Sequence, residues 1–113
     1  MMQVKDTIVV ARDFHNDPGA REEKDGENSG KIFYDKLLSP KFLNALKGNY
    51  LLLIDLDGVF GYPSSFVSGS FGALSIEHGP EPLLKHLKFK SDRRPIRIDK
   101  ILYEIKNPER KDK

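Results

Sequence analysis

The chain contains no cysteine. A disulfide scaffold, a thiolate-ligated zinc site and a thiol nucleophile are therefore excluded. Their absence fits a reducing compartment, and a cytoplasmic location is the expectation. Long apolar runs are missing as well. The longest nearly uncharged one, Tyr50–Ile54, is far short of the roughly 20 residues that span a bilayer, so no membrane partner is expected. The N-terminal Met1-Met2-Gln3-Val4-Lys5-Asp6 lacks the apolar stretch of a signal peptide. Strong net charge is also lacking: the formal balance is +2, too small to point to nucleic acid. With 113 residues there is room for one ordinary domain, and a barrel of about 250 residues is excluded. Residues 1–113 are read as a single domain, with an exposed loop at 21–30 and a charged tail at 109–113.

What charge there is falls unevenly. Residues 1–87 carry 9 basic and 12 acidic residues, whereas residues 88–113 carry 10 and 5. The basic end is suited to steering an acidic partner, although a solvated helix and tail would have the same composition. Nucleic-acid binding through 88–97 and the last helix has little support, because only Phe89 interleaves with the basic residues and no recognition motif is present.

The apolar pattern alternates between strands and helices. Thr7–Ala11 is β-branched and reads as a first strand. Ser29 is placed to cap a helix in which Phe33/Leu37 and Tyr34/Leu38 are i,i+4 pairs. Ser39-Pro40 is read as a restart of that helix, and Gly48-Asn49 as its end. Tyr50–Leu56 is a continuous apolar run, as expected of a central strand covered on both faces. A helix follows from about Ser65 to Glu77. A further helical turn is read at Glu81–His86, an edge strand at Leu87–Lys90, and an amphipathic helix carrying Ile98, Ile101, Leu102 and Ile105. This order predicts an α/β domain with a central mixed sheet and helices packed on it.

Few residues offer chemistry. His15, His78 and His86 have no metal-ligand spacing and read as surface or capping residues. Asp55 and Asp57 share one side of a strand end, where α/β sheets bind ligands. No histidine or third acid stands near them in sequence, so no metal, catalytic residue or cofactor is assigned. No phosphate loop and no nucleophile elbow are present. The informative stretch is Asp57-Gly58-Val59-Phe60-Gly61-Tyr62-Pro63-Ser64-Ser65-Phe66. Two serines stand between a buried strand and a helix start, where free N–H groups and the helix dipole favour negative charge. In the helix that follows, Gly69 and Gly72 each cost about 1 kcal/mol of intrinsic propensity. Close packing or a partner surface must offset that.

Ser29-Gly30 before Ile32-Phe33, then Gly61-Tyr62-Pro63-Ser64-Ser65-Phe66 and Phe71-Gly72, resembles the STAS-like domain family, a group of uncharacterised bacterial proteins. More broadly, the strand–Asp-Leu-Asp-Gly–Ser-Ser–helix order is similar to the STAS fold of anti-sigma factor antagonists. The chain differs from the antagonist motif in having Pro63 before the serine pair and Phe66 after it. The resemblance implies a non-catalytic regulatory module that binds a protein partner. That partner would be a histidine-kinase-type ATPase or a transcription regulator, with Ser64 or Ser65 as a phosphorylatable switch. The expected binding residues are Asp57, Tyr62, Ser64, Ser65, Phe66, Gly69 and Gly72, and self-association is compatible with the sequence. The alternative is a small-ligand or nucleotide site with its phosphate at the Ser64-Ser65 helix start.

Overall fold

The computed structural model describes residues 2–19 and 29–108. Among the described residues three strands, β1 (Val4–Val9), β2 (Leu51–Asp55) and β3 (Leu87–Lys90), form one sheet in the order β1-β2-β3. Both pairings are parallel. The expected α/β class holds, but the sheet is parallel rather than mixed. The reason is that helices intervene between successive strands, and a helical crossover returns the chain in the same direction. β1 starts three residues before the expected strand, because Val4 pairs with Leu51 across an irregularity between Val4 and Asp6. It ends sooner because the Asp13 carboxylate accepts from the Val9 N–H at 2.8 Å. The chain then coils through a wide turn closed by His15 N–H on the Val10 carbonyl at 2.9 Å.

Helix α1 spans 30–48 without a break. Ser29 caps it as expected, its hydroxyl accepting from the Ile32 N–H at 3.2 Å. Ser29 and Gly30 are buried, so the described end of the expected 21–30 loop is not exposed. Residues 21–28 and the expected tail at 109–113 lie outside the described residues. Ser39-Pro40 does not restart the helix. The turn Tyr34–Leu38 is widened, with Ser39 N–H reaching back to the Tyr34 carbonyl. This widening directly precedes Pro40, whose ring and missing N–H would disrupt a regular turn. The helix stops where Asn49 takes the left-handed conformation, φ 56° and ψ 52°. Asn49 N–H then bonds the Leu46 carbonyl and Tyr50 N–H the Ala45 carbonyl, satisfying acceptors the helix end leaves free.

Helix α2 spans 64–78, with a second wide turn at Ser68–Gly72. Inside that turn Ser70 Oγ donates back to the Phe66 carbonyl at 2.8 Å. Helix α3 (Pro80–His86) and helix α4 (Ile96–Lys106) complete the described structure. The core joins α1 to α2 through aromatic rings. Phe33 lies 5.5 Å from Phe66 and 6.0 Å from Phe71 between centroids, and Phe71 lies 5.6 Å from Phe89 of β3. In β2, Leu52 and Ile54 are fully buried while Leu51, Leu53 and Asp55 are half-buried. One face of the sheet is therefore covered less completely than the continuous apolar run implied. From α4, Ile101 and Ile105 are fully buried. Ser75 Oγ of α2 donates to the Ile105 carbonyl, one of the acceptors left free at the end of α4.

Gly30 sets how closely α1 and α2 approach. A Cβ built there would stand 2.5 Å from the Phe66 carbonyl oxygen and 3.2 Å from Gly69 Cα. Gly72 lies beneath α4, where a Cβ would meet the Glu104 carboxylate at 2.6 Å. The glycine cost in α2 is thus offset by close packing inside the chain, not by an outside surface.

Gly30→Ala should destabilise the fold by about 1–3 kcal/mol, the usual cost of overpacking. Gly61→Ala, where nothing lies within 4 Å of the added carbon, should stay within about 0.5 kcal/mol of the parent. Urea unfolding of the two variants checks the contrast, and similar midpoints for both would contradict it.

Candidate functional site

β2 ends in a tight turn that its own carboxylates build. Asp55 Oδ1 accepts from the Asp57 N–H at 3.0 Å. Gly58 follows at φ +85°, a conformation that disfavours a side chain, and an added Cβ would meet Ala11 at 3.1 Å. The turn points the Asp57 carboxylate at the connection between β3 and α4. One oxygen accepts from the Asp92 N–H at 2.9 Å, the other from the Arg93 N–H at 3.1 Å. Lys90 Nζ adds a third donor at 3.1 Å. The backbone bonds from Asp92 and then Arg93 are the main reason the Asp57 carboxyl falls from the usual 3.8 to about 2.

Lys90 sits among three acids: Asp55 at 3.8 Å, Asp57 at 3.1 Å and Asp92 at 3.0 Å. These contacts, Asp92 first, raise its pKa. An outward, solvated lysine is the usual arrangement on an edge strand. It holds for exposed Lys88, whereas Lys90 is turned onto the carboxylates. Sequence spacing showed Asp55 and Asp57 without a third acid, and the fold supplies Asp92 together with an ammonium at the centre. Among the described residues no group of three or more His, Cys, Asp or Glu is arranged to hold a metal ion.

Beyond the turn, the 59–63 loop is held from within. Tyr62 is buried and its hydroxyl donates to the Leu56 carbonyl at 3.1 Å. Burial, the largest influence, raises its phenol pKa. Arg97 of α4 stacks on the Tyr62 ring with its guanidinium carbon 5.2 Å from the centroid. The same guanidinium donates to the Phe60 carbonyl at 3.0 Å, and Phe60 N–H bonds the Asn16 carbonyl at 2.9 Å. The Phe60 backbone is therefore tied on both sides, yet its ring is 78% exposed.

A groove runs past this ring along α4. Its first part is a cavity of about 300 Å³ between Asp57, Phe60 and Arg93, Arg94 and Arg97. The next, of about 260 Å³, shares Phe60, Arg94 and Arg97 and is floored by Tyr62, Val67 and Ile101. The last, of about 420 Å³, shares Val67 and Lys100 with it and is lined by Ser64, Asp99, Tyr103 and Glu104.

Of the residues expected at the site, Asp57 and Ser64 line this groove, and Ser65 is half-buried at the start of α2. Tyr62 supports the groove floor. Phe66 is fully buried in the aromatic core, Gly69 faces Gly30, and Gly72 is buried under α4. Phe66 and Gly72 are therefore not available as exposed contact residues, and within residues 66–77 only Ile76 and Glu77 are exposed. His86 is not a surface or capping residue either. It is buried, its Nδ1 lies 3.0 Å from the Tyr50 carbonyl, and its ring packs edge-on against Phe42.

Sequence reasoning missed Phe60, Arg93, Arg94, Arg97, Ile96 and Tyr103. Two signals pointed to them. One was the basic excess of 88–113. The other was a large ring between Gly58 and Gly61, where a turn offers it little to pack against.

A comparison with protein families identifies the chain: it belongs to the STAS-like domain of unknown function family (DUF4325), whose model matches residues 29–97, well over half of the chain. The match runs from the Ser29 cap to Arg97 and so contains the Asp57 turn. No curated protein and no solved structure matches the chain. Among the described residues no helix is long and apolar enough to cross a membrane.

The Asp57 contacts have a pH signature. Because the folded-state pKa lies below the unfolded one, their stabilisation is fully present above about pH 4. It is lost as the pH falls through about 2. Asp57→Asn should cost about 1–3 kcal/mol at neutral pH, the range for hydrogen bonds to a charged group. It should also flatten the acid limb of stability against pH. Chemical unfolding between pH 2 and 7 measures both, and an unchanged acid limb would show that Asp57 does not carry it.

Proposed function

We propose that this chain is a non-catalytic regulatory module that binds another protein through the groove between the end of β2 and α4. The observation that carries the reading is Phe60, a large ring left exposed on a backbone that hydrogen bonds hold at both its N–H and its carbonyl. Aromatic and arginine side chains dominate binding energy at protein interfaces, and a pre-ordered loop loses little entropy on docking. The polar groups near it support the same reading. Asp57 already accepts three hydrogen bonds, which hold its carboxyl down at about 2, far from the near-neutral value a general base needs.

The likeness to anti-sigma factor antagonists supports, as the proposed partner, a histidine-kinase-type ATPase or a regulator of transcription in the cytoplasm of a bacterium. Ser64 lines the groove and Ser65 adjoins it, so a phosphate on either would add negative charge at the docking face. The small-ligand reading has one observation in its favour. The cavity beside Ser64, at about 420 Å³, is of the size that holds small molecules. Asp99 and Glu104 also line it, and their charge opposes a phosphate there.

The test is capture of proteins from the source cell lysate by the tagged full chain, quantified by mass spectrometry. Phe60→Ala should retain the parent's melting temperature within about 2 °C. It should lose roughly thirty-fold in affinity for the captured partner, as interface anchors do. Ser65→Asp should weaken capture with the fold intact. Equal capture by Phe60→Ala would place the docking surface elsewhere. A thermal shift with nucleotides would favour the small-ligand reading.

A further inference from the structure

On the docking reading above, on which this step rests, we infer that the groove takes a short acidic segment of the partner, with one apolar side chain seated between Phe60 and Ile96. Charge is the first reason. Residues 93–100 carry Arg93, Arg94, Arg97 and Lys100 against the single acid Asp99. The side chains of Arg93, Arg94 and Lys100 have no hydrogen-bond or ion-pair partner among the described residues. Arg97 spends its donors on the neutral carbonyls of Leu56 and Phe60, which leaves its charge unbalanced. Cations without counterions beside a concave surface raise the local concentration of an acidic ligand and speed its encounter.

Apolar exposure is the second reason. Ile96 is 63% exposed and Tyr103 69% exposed, on the same helix as the free Lys100. Together with Phe60 they rim the cavity of about 260 Å³ and its neighbour. Val67 and Ile101 give the cavity an apolar wall. A floor of that kind accepts one side chain of leucine or phenylalanine size, while the rim arginines meet carboxylates on either side of it.

A nucleic-acid strand fits the same face less well. Asp99 and Glu104 line it and repel an unbroken run of phosphates. A peptide sets its charges at intervals and leaves neutral backbone between them.

The experiment is a titration of the isotope-labelled full chain with synthetic probes, followed through backbone amides, arginine Nε–H signals and the Phe60 ring. The first probe is the acidic peptide Gly-Asp-Gly-Phe-Gly-Glu-Gly, whose two carboxylates stand at intervals on either side of the phenylalanine. The others are its charge-reversed lysine counterpart, its Phe→Gly counterpart and a short thymidine oligonucleotide. The acidic phenylalanine peptide should shift Arg94, Arg97 and Phe60. The Phe→Gly peptide should bind about tenfold more weakly, the effect of losing one buried apolar side chain. The lysine peptide should not bind. Arg93→Glu combined with Arg94→Glu should lose about tenfold for the acidic peptide, and raised salt should weaken binding further.

Equal binding of the acidic and lysine peptides would overturn the inference, and so would preferential binding of the oligonucleotide. If no peptide binds while Phe60→Ala still abolishes capture of a cellular protein, the docking reading stands and the acidic occupant falls. If Phe60→Ala leaves capture unchanged as well, both fall.

Discussion

The Asp57 carboxylate accepts from two consecutive backbone N–H groups, those of Asp92 and Arg93, and from the Lys90 ammonium. This set of bonds ties the end of the central strand to the segment that leads into α4. A carboxylate is suited to the task because it presents two acceptor oxygens and full charge to donors converging from one side. Its position follows from the turn before it, which Asp55 closes and Gly58 permits. Once the β3–α4 connection is fixed there, Arg97 stands over Tyr62 and reaches the Phe60 carbonyl. The exposed ring and the free arginines are thereby presented on one rigid face.

A second constraint acts where α1 crosses α2. Gly30 lets α1 close on the backbone of α2 at Phe66 and Gly69, and the aromatic cluster of Phe33, Phe66 and Phe71 fills the space around that crossing. The packing fixes where α2 begins. Ser64 and Ser65 are held at one end of the groove by the core, while Asp57 and the arginines are held at the other by hydrogen bonds. Loop residues displayed by a rigid scaffold are the common arrangement for binding sites, and here each end of the loop has its own anchor.

Local signals in the sequence were reliable where one residue decides the outcome. The Ser29 cap, the Asn49 stop and the amphipathic face of α4 stand as read, the apolar run of β2 marked the strand but overstated the cover on one face, and the family was legible from Gly61–Phe66 together with Phe71-Gly72. Features that depend on distant partners were not legible. Asp57 finds its donors 35 and 36 residues away, so its spacing from Asp55 revealed nothing of them. The small residues of α2 signalled close approach correctly, but only the fold shows that the approaching surfaces are Gly30 and α4. Strand direction was missed because it is set by the crossovers, and His86 because its acceptor is a carbonyl 36 residues away. The widened turns in α1 and α2 were not legible either, since each is only five residues long and offers too few apolar positions to separate an i→i+5 spacing from i→i+4.

The central claim is that one carboxylate holds the binding face in place. Amide hydrogen exchange, residue by residue, in the parent and in Asp57→Asn tests it most directly. A selective loss of protection is expected at Asp92 and Arg93 and along the first turn of α4, with β1 and β2 exchanging as before. Unchanged protection at Asp92 and Arg93, or a uniform loss across the whole fold, would contradict it.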